Sequence, residues 1–501
     1  MSDITLSAGV RQNLLSLQKT ADLMATTQNR LATGKKVNSA LDNPTNFFTS
    51  ASLQARSKDL SSLLDSMSNG IKTLEAADNG LTAITKTLES MQSTLRQARQ
   101  DKSFKTESFA VDLGASPAGT ETLSFTGGAV GATAVGVDLT TSTSTLAGGA
   151  FTAVDFTNAG ANDGSISFDI SANGGATQTI TIAYSDVNGV AADASAVTAA
   201  ELASIINTKL TAANVDATAT VNGSGRIDIS SDRTDSSDAS LTISNFAVAN
   251  GASGSGLANG SGTVGNVEAK TVDQLVTSIN NSNALKGKIR ASNDNGKLRI
   301  ENQSTQDLTV TGVNATSGQI DGSTGTSSIV GNSVRADLAA QFNELRDQLD
   351  KLSDDASFNG INLLRGDKLT LTFNETGTST IEIQTKGGET INSAYLGLTN
   401  IEEADLDADT NIDSLLATVG TALGTIRSQA SAFGSNLSIV QNRTEFTKSM
   451  MNTLQTGADA LVLADSNEEA ANMLALQTRQ QLSSTALSLA SQADQAVLRL
   501  F

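Results

Sequence analysis

Leu416-Ala-Thr-Val-Gly-Thr-Ala-Leu-Gly-Thr-Ile-Arg-Ser-Gln-Ala-Ser-Ala-Phe433 decides the fold. Its apolar residues Leu416, Val419, Leu423, Ile426, Ala430 and Phe433 fall at alternating steps of three and four. The rhythm continues through Leu437, Val440, Thr444, Thr447, Met451, Leu454, Ala458 and Leu461. Steps averaging about 3.5 residues keep a row on one face of an α-helix, and that face must meet another helix. At about 1.5 Å per residue the unbroken helix would be about 68 Å long, beyond the helices of ordinary globular domains.

Outward from this stretch the same rhythm recurs. One row is Leu482, Ala486, Leu489, Ala493, Ala496 and Leu500. At the other end lie Val10, Leu14, Leu17, Ala21, Met24, Gln28 and Leu31. A further row runs Leu60, Leu64, Met67, Ile71, Leu74, Asp78, Leu81, Thr85, Leu88, Gln92 and Leu95. Val334, Leu338, Phe342, Leu345, Leu349 and Leu352 predict a short helix added to the bundle. Gly34 to Thr49, with Pro44 inside it, is expected to break the helix between the terminal and inner rows. Chain ends fray unless something ties them down, so rows reaching both termini imply burial in something larger than one subunit.

Between the helical ends, residues 106–330 are rich in Gly, Ser, Thr, Ala, Val and Asp and read as strands and turns. An internal repeat lies here. Thr198-Ala-Ala-Glu-Leu-Ala-Ser-Ile-Ile-Asn207 matches Thr271-Val-Asp-Gln-Leu-Val-Thr-Ser-Ile-Asn280. Strands Gly225–Ile229 and Gly296–Ile300 follow, and then the short runs Leu241–Ile243 and Leu308–Val310. Each copy is expected to be a short helix on one small antiparallel sheet. The Gly/Ser/Ala run Gly251 to Gly262 is expected to be a flexible link between them.

Composition narrows the function. There are 33 Lys+Arg against 52 Asp+Glu, a net charge of −19, which argues against nucleic acid or an anionic membrane as partner. Without Cys or His, thiol nucleophiles, Ser–His triads, structural zinc and haem ligation are excluded. Met1-Ser2-Asp3-Ile4-Thr5 has neither a basic nor an apolar leader region, so no cleaved signal peptide is expected. No apolar run is long enough to span a membrane.

Three motifs invite chemistry and lack its context. Gly260-Ser-Gly-Thr-Val-Gly265 satisfies G-x-G-x-x-G but is not placed between a strand and a helix, as a dinucleotide site requires. Asp405, Asp407, Asp409 and Asp413 are spaced like a calcium loop, yet Thr410 replaces the required Gly and Leu416 the bidentate Glu. They read as a solvated loop whose Asp caps the long helix. Arg365-Gly366-Asp367 matches an adhesion tripeptide and serves here as a turn. No catalytic, cofactor-binding or metal residue is expected, and the chain is read as a non-enzyme.

With these residues in place the chain resembles bacterial flagellin. Arg30-Leu-Ala-Thr-Gly-Lys-Lys-Val-Asn-Ser-Ala-Leu-Asp-Asn-Pro44 is similar to the family's N-terminal signature, with Asn43 where a second Asp is common. Val440-Gln-Asn-Arg443, Ser491–Phe501 and Phe358-Asn-Gly-Ile-Asn-Leu-Leu364 resemble further family motifs, and the repeat resembles the insert motif of flagellin and hook proteins. The resemblance implies an α+β multi-domain chain, with a long α-helical coiled-coil bundle formed by both ends and an inserted β-rich outer domain. The implied divisions are 1–35, N-terminal core helix; 36–105, bundle helix and spoke segment; and 106–330, outer domain with repeats at about 165–246 and 264–313. They continue as 331–400, short bundle helix and β-hairpin; 401–465, long C-terminal bundle helix; and 466–501, C-terminal core helix.

It also implies a filament subunit for swimming motility, exported unfolded to the cell exterior by the flagellar type III apparatus. Implied partners are copies of itself, cap and hook-associated proteins, and an export chaperone at the C-terminal helix. The assembly interface is expected at Val10, Leu14, Leu17, Ala21, Met24, Leu31, Leu482, Ala486, Leu489, Ala493, Ala496 and Leu500. Rival readings are a hook–filament junction protein and a secreted adhesin. Two departures matter. The insert precedes the short helix instead of following Leu396-Gly397-Leu398. Ser90, Gln92 and Ser93 stand where many members carry the Arg, Arg and Glu read by an innate immune receptor, so receptor binding is expected to be weak.

Overall fold

The structure, a computed structural model, describes residues 8–498. Its helices of ten residues or more are α1 Ala8–Thr33, α2 Pro44–Gln100, α3 Ala199–Ala212, α4 Val272–Asn281, α5 Ser333–Asp355, α6 Asp409–Val462 and α7 Ser466–Leu498. Sixteen strands lie between α2 and α5: β1 Lys105–Phe109, β2 Thr122–Gly127, β3 Gly131–Asp138, β4 Thr140–Leu146, β5 Ser165–Ala172, β6 Gln178–Ala183, β7 Ala217–Val221 and β8 Ile227–Ser231 open the series. β9 Thr234–Asp235, β10 Leu241–Ala249, β11 Gly260–Ser261, β12 Thr263–Ala269, β13 Ile289–Asp294, β14 Lys297–Asn302, β15 Leu308–Thr311 and β16 Thr326–Ile329 complete it. A hairpin of β17 Leu369–Thr372 and β18 Thr380–Ile383 follows α5. The chain divides into two compact units, residues 1–89, 346–399 and 419–501 in one, 90–345 and 400–418 in the other.

In the first unit the long seams pack as their period demands. On α6, Val419, Leu423, Ile426, Phe433, Val440, Leu454 and Ala458 are buried. On α2, Leu60, Met67, Leu74 and Leu81 are buried, whereas Asp78, which falls in the same row, is exposed. The expected break is shorter than Gly34 to Thr49, because α2 starts at Pro44. Proline fits a first helical position, where its missing N–H has no partner to lose. Asn43 caps the helix, its Oδ1 accepting from the Asn46 N–H at 3.1 Å. The β17–β18 hairpin and the turn before it approach α2 at glycines. A Cβ on Gly70 would lie 2.5 Å from Leu371 Cδ2, and one on Gly80 would lie 2.6 Å from Ala356 Cβ.

The second unit holds the insert. Both repeat helices begin with capping boxes, Thr198 with Glu201 and Thr271 with Gln274. Both carry an asparagine that clamps the helix to the next strand. Asn207 donates to the Ala219 carbonyl at 2.8 Å and accepts from its N–H at 2.7 Å. Asn280 does the same to Ala291, at 2.9 Å for each bond. The repeat is therefore a helix clamped to a hairpin, β7–β8 in one copy and β13–β14 in the other.

The third strands correct the expectation of one small sheet per copy. β10 pairs with β5 and β11, and β15 with β2 and β16, so each leaves its hairpin for another sheet. An amphipathic hairpin covered by a helix on one face uses the third strand to bury more apolar surface elsewhere. The run Gly251 to Gly262 is likewise not a flexible link. Ala252, Ser255 and Leu257 are buried, and the segment is tied back by Gly149 N–H to Gly256 O at 2.7 Å and Thr152 N–H to Gly254 O at 2.8 Å. Gly260 and Gly265 lie in β11 and β12, a context that offers no phosphate loop.

Candidate assembly surface

α1 and α7 pair along their lengths, and the connections at their ends set the register. Gly34, in the left-handed region at φ 67°, lets the chain turn out of α1. The Lys36 N–H then donates to Val462 O at 2.7 Å, and the Ala464 N–H to Gly34 O at 3.0 Å. Arg30 Nη1 reaches Glu469 Oε1 at 3.1 Å, and Glu469 is buried in the first turn of α7. Asp42 holds the following loop, accepting from the N–H groups of Asn38 and Ser39. Those two backbone donors, Ser39 foremost, keep its carboxyl below the ordinary aspartate value.

The face that α1 turns inward carries Val10, Thr20 and Thr27, with Asn13, Leu17, Ala21 and Met24 half-buried. On α7 the inward row is Glu469, Met473, Leu476, Gln480, Ser483, Leu487 and Ala490, again at steps of four and three. This intrachain seam mixes apolar with polar side chains, and large apolar groups also face outward. Leu14 is 44% exposed and Leu31 37%, beside the exposed Leu15 and Leu23. On α7, Leu482 is 67% exposed and Leu489 62%, with Leu474 at 67%.

Of the residues expected at an interface, the structure thus buries Val10, half-buries Leu17, Ala21 and Met24, and exposes Leu14, Leu31, Leu482, Ala486, Leu489, Ala493 and Ala496. Leu500 lies outside the described residues. The row read on the last helix is not the one that meets α1. Met473, Leu476, Leu487 and Ala490 do that, and their own heptad spacing is the signal that could have found them. Exposed leucines on two neighbouring helices are apolar surface of the kind that marks an interaction site.

The aspartates of the calcium-like loop have other partners. Asp405 accepts from the Glu402 N–H at 2.8 Å, and Asp407 from the Thr305 N–H at 2.6 Å and the Ser304 hydroxyl at 3.0 Å. Asp413 accepts from Arg99 at 3.0 Å. Asp409 accepts from Lys102 Nζ at 2.8 Å and from the buried Arg335 at 3.0 Å. Burial works against the Asp409 charge, but these two cations outweigh it and hold its carboxyl below 3.8. Arg335 also donates to the carbonyls of Asp101, Leu406 and Asp407 and lies 5.0 Å over the Phe104 ring. These segments are the end of α2, the start of α5 and the start of α6, so one guanidinium fastens the stem from which the insert leaves. Among the described residues no group of three acidic side chains is placed to hold a metal ion. Nor is any described helix long and apolar enough to cross a membrane.

These features define a class of chain whose N- and C-terminal helices pair with each other and whose helical frame is interrupted by a β-rich insert. Residues 8–112 match the family described as bacterial flagellin N-terminal helical region, and residues 416–501 the bacterial flagellin C-terminal helical region. The chain is 32% identical over 166 residues to flagellin FljK of Caulobacter vibrioides, covering 33% of this chain and 59% of that protein. It is 41% identical over 91 residues to flagellin A of Rhizobium meliloti, covering 18% of this chain and 23% of that one. The two helical ends of the chain are those of the bacterial flagellin family. The chain spans 59% of the length of the Caulobacter relative, and the two family regions lie at the chain's helical ends.

Proposed function

We propose that this chain is a structural subunit that polymerises with copies of itself into the extracellular flagellar filament used for swimming. The observation that carries the reading is the set of leucines that the α1–α7 pair leaves exposed, although its own seam holds polar side chains. Thr20, Thr27, Gln480 and Ser483 lie in the seam within the chain, while Leu14, Leu23, Leu482 and Leu489 face out of it. A helix pair with several leucines left in water is stabilised when another copy covers them. The outward rows on α1 and α7 are accordingly the contact between subunits. The match of both ends to flagellin supports an exterior location. Export in an unfolded state, a chaperone at the C-terminal helix and cap and hook-associated partners are part of the same proposal, which assigns no catalysis.

The test is elongation of short filament seeds, followed by electron microscopy. The full chain should lengthen the seeds, and a chain lacking residues 466–501 should stay soluble, partly helical and unable to add. Filaments of normal length from the truncated chain would refute the reading.

A further inference from the structure

The insert contains two separate hydrophobic cores. One gathers buried residues between Val154 and Leu257, led by Phe156, Ile166, Phe168, Ile182 and Ile206. The other is built from Phe109, Leu123, Phe125 and Leu139 with Leu275, Ile300, Leu308 and Val310. Neither shares a residue with the other. All of the first core falls in the segment that joins β4 to β12. Those two strands are antiparallel neighbours with Thr145 opposite Thr263, so residues 147–261 leave and return at one end of a hairpin. One module is therefore set into the tip of another, although the two repeats read as tandem in the sequence.

What lies between the cores is polar. β4 reads Thr140-Thr-Ser-Thr-Ser-Thr-Leu146, and Thr140, Ser142 and Ser144 are fully or almost fully buried. Their hydroxyls, with that of Ser236, have no hydrogen-bond partner among the described residues. Charged groups close the rest of the seam. Buried Lys270 of the inner module meets Asp235 of the outer one, and Arg233 meets Glu268 at 3.2 Å and donates to Asn266 O at 3.1 Å. The ladder across the seam is short, with Thr145 and Leu146 opposite Ser230 and Ile229, and Thr141 and Ser142 opposite Asp235 and Thr234. A seam of apolar side chains resists parting because water gains nothing from it. Unpartnered hydroxyls and ion pairs behave oppositely, since exposure gives them hydrogen bonds to water and removes a desolvation penalty.

We propose that residues 147–261 form a self-contained outer module seated on a polar joint, which opens and unfolds independently of the module beneath it. This does not rest on the filament reading. Two cores without a shared buried residue are linked through β4, where Leu146 packs on the outer core and the strand pairs with β8 and β9, so the loss of one core reaches the other weakly. The hydroxyl row of β4 serves both as a covered face and as a solvated edge. The joint makes the outer module the mobile and exchangeable part of the insert.

Hydrogen exchange of the full chain, with amides resolved by segment, tests this. Phe168→Ala should cut protection within 147–261 by roughly 10²–10³-fold, as expected for a large core cavity, and leave β2, β14 and β15 unchanged. Ile182→Val, too mild to abolish folding, should cut outer-module protection by about 3–10-fold, with the same silence beneath. Equal losses in both modules from either variant would overturn the proposal. Replacing Leu146 to Gly262 by Asn-Gly, a two-residue hairpin turn, provides an independent check. Protection of β2, β14 and β15 should survive within about threefold, and its collapse would equally refute an independent joint.

Discussion

Leu489→Ala removes an outward leucine from α7 without touching the α1–α7 seam. Burying a whole leucine side chain is worth about 1.5–3 kcal/mol. In the single subunit Leu489 keeps 62% of its surface exposed, so a neighbour can still bury about 1–2 kcal/mol of it. Each 1.4 kcal/mol is a factor of ten in an equilibrium constant, so truncation should raise the critical concentration for polymerisation about 5–30-fold. Leu489→Asp should do more, because a carboxylate would be covered without a partner, and polymer should be undetectable at concentrations where the parent assembles. The helicity of the free subunit should not change, since the residue faces water there. Leu487→Asp is the contrast: its side chain is half-buried in the seam with α1, and the monomer itself should lose helical signal. The assay is sedimentation of polymer against total concentration, with circular dichroism of the supernatant. An unchanged critical concentration for Leu489→Asp would refute the assignment of this face to subunit contacts.

Arg335→Ala should destabilise the insert stem by at least about 1–3 kcal/mol, because it strips the Asp101, Leu406 and Asp407 carbonyls of their donor, and thermal unfolding should read this as a lower midpoint. Arg335→Lys should recover only part of it, since an ammonium cannot fork between the Asp101 and Leu406 carbonyls. Acidification provides a separate check. The carboxyl of Asp409 is held below 3.8 in the folded chain, so its stabilisation is complete above the unfolded value and is lost as pH falls through the lower folded one. Stem protection should therefore fall below about pH 4, and less so in Asp409→Asn, whose stability there should be flatter with pH. Replacing residues 106–330 by a short Gly/Ser linker should leave filament assembly intact and the filaments thinner, as electron microscopy would reveal; a folded monomer unable to polymerise would contradict it. With Ser90, Gln92 and Ser93 at the expected recognition positions, a reporter-cell assay should respond weakly, and a signal equal to that of an Arg-bearing flagellin would overturn this.

Much of the frame was legible because a heptad row is a local property: side chains three and four apart share a face whatever the helix meets. The seam from Leu416 to Leu461 is found buried or half-buried along its length, and α5 lies where the short row predicted it. The repeated Asn207 and Asn280, together with their capping boxes, were visible as matching letters, although their role as clamps needed the strand beside them. The terminal helices mark the boundary of such reasoning. α7 carries two rows of equal period, and period cannot say which one turns inward. That choice depends on the Arg30–Glu469 contact and the backbone bonds at Gly34, between residues more than 400 apart. The aspartates near α6 were read as solvated for the same reason, since Arg335 and Thr305 are remote in sequence. The third strands left their hairpins because sheet order is decided by which apolar faces can be buried together. A short strand's own alternation does not encode that partner. Composition and period determined the helical ends, the β-rich middle and the absence of cysteine and histidine chemistry; tertiary structure alone decided which faces are spent within the chain and which remain for another copy.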